Sequence, residues 1–96
     1  MKTRKPKTHR DHALFPWAEL ESLCGAINGS VRIAKTAESV GATFTARVHR
    51  AAVEQWDLEL RPILAFAGEV LNPSQKGMVA ARYWMAMNGR YERKTA

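Results

Sequence analysis

Apolar residues recur at three- and four-residue spacing along most of the chain, and β-branched alternation is confined to a short stretch around residues 43–45. The pattern predicts an all-α fold. Leu20, Leu23, Cys24 and Ile27 form one stripe, Pro16 suits a first helical position, and Glu19 and Glu21 lie where the helix dipole favours anions. A helix is expected over 16–27. Asn28-Gly29-Ser30 reads as a stop followed by a cap, so a second short helix, carried by Val31, Ile33, Ala34, Ala37 and Val40, should end at Gly41. Thr43 can cap a third helix in which Phe44, Val48, Ala51, Ala52, Gln55 and Trp56 share the buried face and Arg47, Arg50 and Glu54 point to solvent.

Pro62 should end or kink that helix, because it lacks an amide hydrogen and crowds the carbonyl four residues back. A further helix over 62–71 would then bury Ile63, Phe66, Ala67, Val70 and Leu71. The last helix has two candidate starts: Asn72 as cap with Pro73 first and Gln75 reaching back, or Ser74 as cap. Its body, residues 78–87, is apolar apart from Arg82 and the tip of Tyr83, and Asn88-Gly89 is a stop. Such a helix is either buried on most of its surface or completed by another protein. The expected architecture is one small domain of four to five short helices over 13–90, between a flexible basic arm at 1–12 and a basic tail at 91–96.

Composition narrows the class. A chain of 96 residues supports one core, and 46% hydrophobic with 25% charged residues is ordinary for a globular domain. No apolar run approaches the ~18–20 residues of a membrane span, and no apolar segment of signal-peptide type follows the basic start, so a cytoplasmic protein without membrane contact is expected. The net charge of +6 is unevenly placed. Residues 1–12 carry Lys2, Arg4, Lys5, Lys7 and Arg10 against Asp11, residues 88–96 carry Arg90, Arg93 and Lys94 against Glu92, and the middle balances. Clustered cations of this kind suit a phosphate backbone, where each contact releases a condensed counterion.

No catalytic centre is apparent in the sequence. Cys24 shares its stripe with Leu20, Leu23 and Ile27 and should behave as a small buried hydrophobe. It is the single cysteine, which excludes an internal disulfide. His9, His12 and His49 are expected in solvent, and Asp57 and Glu59 point in different directions on a helix, so neither a metal site, a cofactor site nor an acid/base pair is expected. Trp56 has the phase of a core residue, whereas Trp17, Trp84 and Met85 could equally face a partner.

The stretch Lys35-Thr36-Ala37-Glu38-Ser39-Val40-Gly41, followed by Thr43 and a helix near Phe44, resembles the helix-turn-helix of short lambdoid phage regulators. The resemblance spans about 20 residues, and an apolar position of the motif falls on Arg47, with Val48 one place late. It implies DNA contact by Thr43, Thr45, Arg47 and Arg50, while the clustering of charge separately points to the arm residues Lys2, Arg4, Lys5, Lys7 and Arg10. The expected function is that of a small non-enzymatic, nucleic-acid-associated regulator, with pairing into a homodimer left open. The alternative is a phage- or plasmid-type modulator that binds a host nucleic-acid enzyme, such as a recombination nuclease-helicase or RNA polymerase. It would do so through Arg82, Tyr83, Trp84, Met85, Arg90 and Arg93.

Overall fold

The computed structural model describes residues 14–92. They form three helices: α1, Trp17–Ser39; α2, Thr43–Val70; and α3, Pro73–Met87. By the rise per residue, α1 and α2 are about 34 and 42 Å long. The contacts between them run in reverse order along the chain. Phe15, just ahead of α1, stacks on Phe66 at 6.0 Å, Ser30 meets His49 at 3.1 Å, and Glu38 meets Arg50 at 3.0 Å. The pair is therefore an antiparallel hairpin along its length. At its tip, Gly41 takes φ +77° and the amides of Gly41 and Ala42 return to the carbonyls of Glu38 and Ala37. This satisfies the end of α1 as a left-handed glycine cap does.

The all-α expectation stands, but the short helices merge. α1 runs straight through Asn28-Gly29-Ser30 because the side chains that could have capped a break are used elsewhere. The Asn28 amide oxygen accepts from the Tyr91 backbone N–H at 3.0 Å, and the Ser30 hydroxyl is hydrogen-bonded to His49 Nδ1. α2 likewise continues through Pro62, whose ring lies exposed while Leu60, Ile63 and Ala67 hold both flanks in the core. Burial on either side outweighs the lost hydrogen bond. Thr43 is the first helical residue rather than a cap, and its hydroxyl turns back to the Gly41 carbonyl at 3.4 Å.

The start of α3 follows the first of the two expected registers. Gln75 N–H donates to Asn72 Oδ1 at 2.8 Å, Asn72 N–H donates to Gln75 Oε1 at 3.1 Å, and Pro73 opens the helix. α3 then packs against both long helices. Arg82 lies 3.8 Å from Glu21 of α1, Lys35 donates to the Asn88 carbonyl at 2.9 Å, and Tyr83 reaches Asp57 of α2. Beyond it, Gly89 takes φ +73° and turns the chain so that Tyr91 enters the core. The core joins Leu20, Cys24, Ile27 and Val31 to Val53, Leu60, Ile63 and Val70, closed by Phe15, Leu71, Val79, Ala86 and Tyr91.

Candidate functional site

α2 has two apolar faces, and the core takes the one the sequence reading did not choose. Ala46, Val53, Leu60 and Ala67, seven residues apart, are buried. Phe44 is 77% exposed, Val48 48% and Leu58 56%, and Ala51 and Gln55 on the same line are exposed as well. Phe44, Val48, Ala51 and Gln55 are therefore surface residues, and of the expected buried set only Ala52 and Trp56 are partly covered. The physical reason is volume. Alanine and valine at 46 and 53 let α1 approach α2 closely, which phenylalanine at 44 would prevent.

The candidate nucleic-acid residues of α2 divide accordingly. Thr43, Thr45, Arg47 and Arg50 are all exposed at the hairpin tip. Arg50 is already engaged by both oxygens of Glu38 at 3.0 Å, an ion pair that holds the Glu38 carboxyl below the usual range and raises the guanidinium. Arg47, three residues earlier, has no ion pair among the described residues. The tip is also apolar, with Val40 and Ile33 exposed and a shallow hollow between Arg32, Ile33, Ala42 and Thr45. The segment that resembles a helix-turn-helix thus connects helices lying side by side. Helices of that motif meet at roughly 90–120°. The arm residues Lys2, Arg4, Lys5, Lys7 and Arg10 lie outside the described residues, as does Arg93.

The candidate partner face of α3 also divides. Tyr83 and Met85 pack against the core, and Arg82 is half-buried between Glu21 and the Met78 carbonyl, to which it donates at 3.3 Å. Trp84 is 57% exposed, and Met78 and Arg90 are also exposed. Trp17 belongs with the interior, edge-on to Phe15 at 4.8 Å.

Asp57 is the polar centre of the fold, a role that sequence reasoning missed. Its buried carboxylate accepts from the Tyr83 hydroxyl at 2.7 Å and from Arg61 Nη2 at 3.0 Å. The carboxylate in turn pushes the Tyr83 phenol above its ordinary range. The only sequence signal is the i, i+4 spacing of Asp57 and Arg61. Glu59 is exposed, so the two carboxylates do not act together. His49 is half-buried rather than in solvent, tied to Ser30. Cys24 is fully buried, and burial pushes its thiol up to about 11, which makes it a packing residue and a poor nucleophile. Among the described residues no three metal-ligating side chains come together. No helix among them is long and apolar enough to cross a membrane.

No family model matches this chain, and no curated protein or solved structure is similar to it.

Proposed function

We propose that the protein is a small non-enzymatic regulator that associates with nucleic acid through its basic ends, with the helical hairpin as a scaffold that carries them. The observation that supports this reading is the segregation of charge. Residues 14–92 contain as many acidic as basic side chains, so the whole excess of +6 falls on residues 1–13 and 93–96. Within the body, Arg50, Arg61 and Arg82 are engaged by Glu38, Asp57 and Glu21. Such cations have little attraction left for phosphate, whereas a cluster including Lys2, Arg4, Lys5, Lys7 and Arg10 neutralises several phosphates at once.

The test is fluorescence anisotropy with labelled single- and double-stranded oligonucleotides across a salt series. The affinity should fall steeply with salt, and deletion of residues 1–12 should remove most of that slope while leaving the thermal midpoint unchanged. Absence of binding at low salt, or binding indifferent to the deletion, would overturn the assignment.

One observation favours a second reading, the modulator of a nucleic-acid-processing protein. Trp84 stands exposed on α3 with Met78 and Arg90 also exposed, and tryptophan, methionine and arginine are the residues most enriched at protein interfaces. Association that persists after nuclease digestion and is lost on Trp84→Ala supports that reading instead.

A further inference from the structure

The solvent face of α2 carries the spacing of a coiled-coil seam. Phe44, Val48, Ala51, Gln55, Leu58 and Pro62 follow one another at alternating intervals of four and three, and every one of them is exposed. The opposite line, Ala46, Val53 and Leu60, is the line buried inside the hairpin. α2 is thus apolar on two opposed faces, and among the described residues only one of them has a partner. Residues 1–13 are a poor cover for the other, since Met1, Pro6 and Ala13 are their only apolar side chains.

We infer that this face binds a second copy of the chain, α2 against α2 in antiparallel orientation about a two-fold axis near His49 and Arg50. The flanking charges select that arrangement. Arg47 and Glu54 lie on the same flank of the seam, one heptad apart and opposite in sign, and neither is paired among the described residues. Charges at these flanking positions decide orientation in paired helices. When two copies run antiparallel with Val48 level with Ala51 of the second copy, Phe44 covers Gln55 and Leu58 covers the Val40–Gly41 turn. Arg47 then falls two residue rises, about 3 Å along the axis, from Glu54 of the second copy. The symmetry makes this contact twice.

The competing arrangements are repulsive. In a parallel pair, Glu54 would face Glu59 of the second copy, again twice. An antiparallel pair slid by seven residues, with Phe44 level with Pro62 of the second copy, would bring Glu54 against Glu54 and Arg47 against Arg61 of the second copy. Of these three arrangements, only the register centred near His49 joins opposite charges. The inference does not depend on nucleic-acid binding, although a dimer would present the basic ends in duplicate.

Sedimentation equilibrium of the full chain at micromolar concentration tests it, with circular dichroism to confirm folding. The wild type should be dimeric. Arg47→Glu and Glu54→Arg, each at an exposed position, should remain folded and weaken self-association by at least about tenfold, because each places like charges together twice in its homodimer. Mixing the two variants should restore the dimer, since the heterodimer returns Glu against Arg at both contacts. A monomeric wild type overturns the inference. So does a dimer unaffected by either variant, or a mixture that fails to re-associate.

Discussion

Cys24 and Asp57 occupy the same core and arrive there by different routes. Cys24 enters as a hydrophobe on the stripe of Leu20, Leu23 and Ile27, and that stripe is plain in the sequence because its members are neighbours along one helix. Asp57 enters as an anion, which is stable there only because Tyr83, 26 residues away, and Arg61 donate to it. A partner that distant is fixed by packing, so no local pattern announces it. The burial of Cys24 has a measurable consequence. Its thiol is pushed from 9.0 to about 11, chiefly by desolvation, with Arg82 opposing the shift. Between those values the unfolded chain loses the proton and the folded chain keeps it, so stability present below about pH 9 is lost as pH rises through about 11. The expected slope is about 1.4 kcal/mol per pH unit. Urea melts of the wild type and Cys24→Ala at a series of alkaline pH values isolate it: the stability difference between the two should shrink as pH rises, and a constant difference would contradict the burial of the thiol.

At the scale of elements, the ends of the hairpin's turn and the start of α3 were legible, because Gly41, Asn72, Pro73 and Gln75 act through their own backbone and nearest neighbours. The supposed breaks inside the long helices were not. Gly29 and Pro62 are unfavourable in an isolated helix by about 1 and 3 kcal/mol. Packing of Ile27, Val31, Leu60 and Ile63 on the facing helix offsets that cost, and a single chain read locally contains no record of it. The face of α2 escaped for a related reason: two opposed apolar lines give equal periodicity, and only the presence of α1 chooses between them. Two glycines test this account. Gly29 is helical with open space around its missing Cβ, whereas Gly41 sits at φ +77°. Gly29→Ala should stabilise by about 0.5–1 kcal/mol. Gly41→Ala should destabilise by about 1–2 kcal/mol, the cost of a left-handed alanine. Thermal midpoints should therefore move in opposite directions, and a lower midpoint for Gly29→Ala would mean that α1 is interrupted there after all.

Across the whole molecule, charge and apolar surface are allotted to different places. The net charge lies at the ends of the chain, while the large exposed apolar residues, Leu14 ahead of α1 excepted, lie on α2, at the hairpin tip and on α3. A fold this small keeps such residues in water only at the expense of solubility, which makes each a question about what it touches. Trp84 is the clearest case on α3. Its ring is more than half exposed, and although Asn88 Nδ2 donates to the Trp84 carbonyl at 2.8 Å, that bond belongs to the backbone and survives truncation of the side chain. Trp84→Ala should therefore lower stability by less than about 1 kcal/mol, as surface substitutions do. Leu60, fully buried between the helices, supplies the contrast: Leu60→Ala should cost about 2–5 kcal/mol through the cavity it leaves. Denaturant melts of the two variants measure the gap directly. Comparable losses would place Trp84 in the core and remove α3 as a candidate docking surface, leaving the basic ends and the α2 seam to carry the protein's contacts.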